Sequence, residues 1–132
     1  MIGIAYREFN DLTGNGPYSQ KERIEKLKIL MSQVEKASKE GLSCLMGDLN
    51  LDLKRFEEMK YYAKKESDEF QLLAAEIGLE ILNFGYTWRR VIEGVLQQSS
   101  LDSALINKIR SVKNYNTVDM NCNSDHSAIL LY

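Results

Sequence analysis

Leu42-Ser43-Cys44-Leu45-Met46-Gly47-Asp48-Leu49-Asn50 is the stretch on which the fold turns. Leu42 to Met46 is a short apolar run of the kind that fills a buried strand, and the polar residues after it mark the strand's carboxyl end. Just before it, Gly41 closes a segment in which Ile24, Leu27, Leu30, Met31 and Val34 recur at helical spacing. That pattern predicts an amphipathic helix of about five turns with a glycine stop. Ser19 followed by Glu22 has the capping-box spacing, in which the hydroxyl and the carboxylate each satisfy an orphan backbone N–H at the helix start. Further back, the first six residues fit a short buried-type strand, set off by the Thr13-Gly14-Asn15-Gly16-Pro17 run that suits neither a helix nor a ladder. Strand, helix and strand within roughly fifty residues predict a right-handed βαβ-type crossover.

On the carboxyl side, Lys54 to Glu69 is densely charged and poorly periodic, and reads as partly helical and mostly solvated. Ser67, with Asp68 and Glu69 behind it, is placed to cap a second helix that carries Phe70, Leu73, Ala74 and Ile77 on one face and ends at Gly78. From Leu79 the texture changes to short runs bounded by Gly, Asn and Ser. Strands are expected at Leu79 to Leu82, Tyr86 to Val91, Leu101 to Ile106, Val112 to Val118 and Ser127 to Tyr132. The chain therefore reads as α/β in its first half and mostly β in its second, with no internal repeat, low-complexity tract or linker.

Composition agrees with one folded unit. The 132 residues are 44% hydrophobic and 27% charged, the balance of an ordinary globular protein. A chain of this size exposes roughly 7,100 Å² folded against about 22,000 Å² unfolded, enough burial for a real core. The formal net charge of -2 gives no global field towards nucleic acid or an anionic membrane, so any basic patch must be local. Charge arrives early at Arg7 with no basic region before the apolar run, unlike a signal peptide. No stretch approaches the roughly 18 apolar residues of a membrane span. Cys44 and Cys122 are too few for a disulfide framework and too isolated for a zinc motif, so an intracellular, nuclear or cytoplasmic setting is expected.

Three polar groups at strand ends carry chemistry: Asp48 with Asn50, Asp102, and Ser124-Asp125-His126. Side chains at i and i+2 of an extended segment point the same way, so Asp48 and Asn50 are expected to converge. An acid and an amide so placed suit hydrolysis of a phosphate ester, one positioning water and the other donating to a phosphoryl oxygen. Asp125 beside His126 offers a hard oxygen for Mg²⁺ next to an imidazole that can hydrogen-bond an oxyanion. Asp102 can orient that histidine as carboxylates do in other His–Asp pairs. Each piece alone also has an ordinary structural reading: a Gly-Asp turn, a solvated Asp-His pair, a histidine that merely hydrogen-bonds. The ordered combination is what gives them weight.

In that combination the sequence resembles the endonuclease/exonuclease/phosphatase (DNase I-like) superfamily of Mg²⁺-dependent phosphodiesterases. The matching stretches are Ile4-Ala5-Tyr6-Arg7, Gly47-Asp48-Leu49-Asn50-Leu51-Asp52, Tyr86-Thr87-Trp88, Ser99-Ser100-Leu101-Asp102 and Ser124-Asp125-His126-Ser127, in the family's order. The Thr-Trp strand followed by Ser-x-Leu-Asp looks most like the branch found in non-LTR retrotransposons. The resemblance implies that Asp48 positions or activates the attacking water and that Asn50 contacts the scissile phosphate. It implies further that Asp125 is a metal-site carboxylate, that His126 contacts a phosphoryl oxygen and is oriented by Asp102, and that Tyr6 lies against the phosphate. Thr87 is implied to border the site, while Trp88 is expected in the core. Mg²⁺ or Mn²⁺ is the implied cofactor and DNA the implied substrate, with no membrane partner. These roles agree with in-line attack on a phosphate, which needs water positioning and charge neutralisation rather than a covalent intermediate.

The resemblance also implies that the matched residues form the carboxyl-terminal half of a four-layer α/β sandwich, here one mixed β-sheet with two helices on one face. An early Asn and a metal-binding Glu from the amino-terminal half would precede this chain; Glu8, Asp11 and Asp52 lack the family's local pattern. Weak or absent metal binding is then expected of the fragment, and its bare sheet face should find a partner: the missing half or a second copy of the chain. Three functions follow. One is an incomplete Mg²⁺-dependent DNA endonuclease, a second a silent remnant that homodimerises or binds nucleic acid, and a third a sugar-phosphate or lipid phosphodiesterase. Arg89, Arg90, Lys108, Arg110 and Lys113 lie near the site strands and could meet a phosphate backbone, though ordinary solvated charge is the favoured reading.

Overall fold

The computed structural model describes residues 2–7, 19–42, 44–51, 61–107, 112–120 and 122–132, with side chains omitted at 61–64. The expectations for Thr13 to Pro17, for Glu8, Asp11 and Asp52, and for Lys108 and Arg110 fall outside these residues.

Strands β1 (Ile2–Tyr6) and β2 (Cys44–Asp48) pair in parallel, joined through helix α1 (Gln20–Lys39). This is the expected βαβ connection. The α1 start is the capping box read from sequence: the Ser19 side chain accepts from the Glu22 amide, and the Glu22 carboxylate accepts from the Ser19 amide at 2.8 Å. Helix α2 (Tyr61–Glu76) is followed by β3 (Glu80–Asn83), β4 (Trp88–Ile92), β5 (Val95–Ser99), β6 (Asp102–Ile106), β7 (Tyr115–Val118) and β8 (Ala128–Leu131). The mixed sheet has the order β1-β2-β6-β3, with β6 antiparallel to both neighbours. The other four strands form two antiparallel ribbons, β4-β5 and β7-β8.

Three expectations need correction. Helix α2 begins before Ser67, which is a fully buried residue inside it rather than its cap. Glu66 is buried too, so the described end of this stretch is not wholly solvated. Strand β5 was not anticipated, because Val-Leu-Gln-Gln-Ser is mostly exposed and offers no apolar alternation. It pairs with β4 through Glu93 and Gly94, both at positive φ (52° and 77°), the signature of a type I′ hairpin turn.

Side-chain alternation divides the sheet into two faces. On one, Leu45 and Leu105 meet Leu27, Met31 and Val34 of α1 and Phe70 and Ala74 of α2. Each such large apolar side chain contributes about 1.5–3 kcal/mol when fully buried. On the other, Cys44, Leu82, Ala104 and Ile106 are covered by Phe84, Val112 and Leu131. That cover stops short of β1, where Ile2, Ile4 and Tyr6 are 73%, 89% and 72% exposed. No helix of the described residues is long and apolar enough to cross a membrane. Cys44 is buried and Cys122 exposed, and both are free thiols.

Candidate active site

The site forms where β2 and β6 run side by side. Antiparallel register sets Asp48 opposite Asp102, while parallel register sets Tyr6 opposite Asp48, so all three lie at one end of the face away from the helices. Gly47, just before Asp48, permits the approach of β1. A Cβ there would lie 1.8 Å from the Ala5 carbonyl oxygen, at a φ of +156°, so no side chain fits without moving backbone.

Beyond β2 the chain does not stay extended. Asn50 adopts a left-handed φ of 49°, and its amide donates to Asp48 Oδ1 at 3.0 Å, an Asx-type turn. Asp48 and Asn50 are thus brought together by a turn, not by the strand alternation expected from their spacing. The Asn50 Nδ2 donates to the Arg7 carbonyl, and the Arg7 amide donates to the Asp48 carbonyl at 2.9 Å.

His126 arrives from the far end of the chain and is fixed by the start of β4. It makes an isolated antiparallel bridge with Trp88. On either side, the Ser127 amide donates to the Thr87 carbonyl (2.7 Å) and the Arg89 amide to the Asp125 carbonyl (2.9 Å). Its Nδ1 lies 3.0 Å from Asp102 Oδ2, and its Nε2 lies 4.0 Å from Asp48 Oδ2. An ionised carboxylate can only accept, so Asp102 keeps the hydrogen on Nδ1 and turns Nε2 towards Asp48. Thr87 ties the two halves of this pair together. It is fully buried, and its Oγ1 accepts from the amides of both Leu101 (3.1 Å) and Asp102 (3.0 Å).

The carboxylate and imidazole atoms of Asp48, Asp102 and His126 lie within 4.8 Å of one another. Burial pushes the Asp48 carboxyl above its usual pKa; the Asn50 amide pulls it down, Asp102 adds to the rise, and His126 opposes it. Asp125 is not in this group. Its side chain is exposed, and its Oδ2 takes the Trp88 indole N–H at 3.0 Å. Trp88 is half-buried at the strand start and belongs to neither core cluster. Tyr6 is exposed beside Asp48. Arg89, Arg90 and Lys113 are exposed, and Arg89 faces Asp119 at 3.5 Å.

Beneath the Asp48–Asn50 turn lies a cluster that sequence reading did not find. Glu66 of α2 pairs through Oε2 with Arg7 Nη2 and through Oε1 with Arg23 Nε at 2.8 Å. The partners are 59 and 43 residues from Glu66, and no local pattern signals such a contact. Burial pulls the Arg7 guanidinium below its usual pKa, with Glu66 opposing the shift.

No protein-family model and no curated protein sequence matches the chain. Among solved structures it is similar to the endonuclease domain of TRAS1, a telomere-specific non-LTR retrotransposon, with a TM-score of 0.65 at 19% identity. The match covers 93% of this chain and 53% of that one, so the chain spans about half the length of the structure it matches. The fold is therefore DNase I-like, as the ordered motifs implied.

Proposed function

We propose that the chain carries the Asp48–Asn50 and Asp102–His126 portion of a divalent-cation-dependent phosphodiesterase, with DNA as substrate, and that it needs further polypeptide to complete both the sandwich and the metal site. The observation that supports this best is the convergence of Asp48, Asp102 and His126 from three distant segments onto one sheet end.

The donor set fits a hard cation. Mg²⁺ is commonly held by one or two carboxylates with waters and substrate phosphates completing its shell, and Asp48 and Asp102 supply two carboxylates at one point. Asp125 at the rim would help hold Mg²⁺ or Mn²⁺ beside the Asp48–Asp102 pair; when bound, the ion would neutralise phosphate charge and stabilise the leaving oxygen. The protein's own groups do the rest. The Asp48 carboxylate, its basicity raised by burial, accepts a proton from the attacking water. The Asn50 amide, oriented by the Arg7 carbonyl, donates to the phosphate. As the imidazolium, with Nδ1–H on Asp102, His126 donates Nε2–H to a phosphoryl oxygen, and the Asp102 carboxylate stabilises that positive charge. Tyr6, exposed beside Asp48, lies against the phosphate, and Thr87 acts from behind by holding Asp102.

The test is a Mg²⁺ or Mn²⁺ titration of the chain followed by NMR. Shifts concentrated on Asp48, Asp102, Asp125 and His126, together with plasmid nicking that appears once polypeptide completing the sandwich is added and disappears in His126→Ala, support the reading. A response spread evenly over surface carboxylates, with no nicking even after that polypeptide is added, counts against it.

A second reading draws on the bare β1 row. Ile2, Ile4 and Tyr6 form an apolar strip on an edge strand, which favours association with a missing half-domain or with a second copy. Here the chain would serve as a homodimerising or nucleic-acid-binding remnant. A stable dimer by sedimentation, with no nuclease activity and no site-specific metal response, would favour it.

A further inference from the structure

The Arg7–Glu66–Arg23 cluster is an unusual way to fill space. All three side chains are at most one-tenth exposed, and two guanidinium groups share the one carboxylate. Arg7 Nη1 is buried with no hydrogen-bond partner among the described residues. Buried ion pairs rarely stabilise a fold better than apolar side chains of similar volume would, so packing alone gives no reason for this arrangement. What it does is anchor one residue from below. The backbone of Arg7 is where β1 leaves the sheet, and it touches both functional neighbours: its N–H donates to the Asp48 carbonyl, and its C=O accepts from Asn50 Nδ2. Asn50 has its main-chain N–H on Asp48 Oδ1 already, so the Arg7 carbonyl fixes the remaining rotation of the amide.

We infer that Glu66 is a positioning residue for Asn50, acting through Arg7. Its carboxylate on α2 holds the Arg7 side chain, the side chain holds the carbonyl, and the carbonyl aims the amide. The consequence for catalysis rests on the phosphodiesterase reading above; the positioning itself does not.

The experiment uses Glu66→Asp and Arg7→Met, with Phe70→Leu on the same helix as a control for plain loss of packing. The readout is solvent exchange of the Asn50 side-chain NH₂ by NMR. In the unaltered chain one Asn50 hydrogen exchanges slowly; in both variants exchange should quicken at least about tenfold, with the His126 ring signals unmoved. Phe70→Leu should lower the melting temperature and leave Asn50 as it was. Wild-type exchange in either folded variant overturns the inference, as does an equal change in Phe70→Leu. Should Arg7→Met fail to fold, Glu66→Asp, which keeps the charge and shortens the reach by one methylene, decides alone. Where Mg²⁺-dependent cleavage is measurable, Glu66→Asp should lower kcat about tenfold with KM little changed. A wild-type chain that cleaves no phosphodiester even with the completing polypeptide added refutes the catalytic reading, while the exchange result still judges the positioning.

Discussion

Replacing Thr87 with Val tests the joint on which the Asp102–His126 pair depends. The two side chains have nearly the same shape, so the substitution exchanges one hydroxyl for a methyl at a site with no solvent access. What is lost is the shared acceptor for the amides of Leu101 and Asp102, at 3.1 and 3.0 Å. A buried donor left without a partner costs about 1–3 kcal/mol. Two such amides, partly offset by the added methyl, give a net loss of about 2–4 kcal/mol. For a chain of this length that is a fall in Tm of roughly 8–16 °C. Circular dichroism gives the melt, and amide hydrogen exchange locates the cause: Leu101 and Asp102 should lose protection first, while α1 keeps its own. Thr87→Ser, which retains the acceptor, should recover most of the loss. A Thr87→Val protein that melts within about 1 °C of wild type and keeps those two amides protected would refute the clamp.

Gly47→Ala should be among the most damaging single changes, since its Cβ meets the Ala5 carbonyl oxygen at 1.8 Å. The expected cost is about 4 kcal/mol or more, read as a large drop in Tm with loss of β1 protection in hydrogen exchange. Asp48→Asn should raise Tm at neutral pH in chelator. The Asp48 pKa is raised by burial in the folded state, so its ionisation is a cost that sets in as pH climbs from the unfolded value towards the folded one and is fully present above both. Paired melts across pH should show the two proteins converging in acid, and a neutral-pH Tm lower in the variant contradicts the assignment. Ser19→Ala removes the acceptor half of the capping box and should cost about 1 kcal/mol, or roughly 4 °C, in the same melts.

Local signals were the legible ones. Ser19 and Glu22 stand three residues apart, and the capping box followed. The apolar period of Ile24, Leu27, Met31 and Val34 gave α1, and Leu42 to Met46 gave β2 with its polar end. Strand β5 escaped because hairpin pairing, not side-chain burial, holds Val95 to Ser99 in place. The α2 boundary escaped because Glu66 and Ser67 look like surface residues, and the Glu66 partners Arg7 and Arg23 come from distant parts of the chain. Asp48, Asn50, Asp102 and His126 could each be suspected from their places at strand ends, but their convergence depends on register across β2 and β6 and on the bridge at Trp88. Thr87 could be flagged as a neighbour of the site; that its hydroxyl holds two amides is a tertiary fact.

Among the described residues, the helix-covered core takes none beyond Leu105, whereas the imidazole of the site is contributed by residue 126, docked on β4. The helix-covered face thus owes none of its described core to the segment that carries the histidine. A chain trimmed between the two by proteolysis would keep that core and the facing carboxylates but lose the imidazole, together with the Leu131 cover of the sheet's other face. Probes of helix content cannot tell it from the longer chain; a probe of the histidine ring can. On the proposed function, losing this one segment switches off a phosphodiester-cutting site while the helix-covered core that supports it stays built.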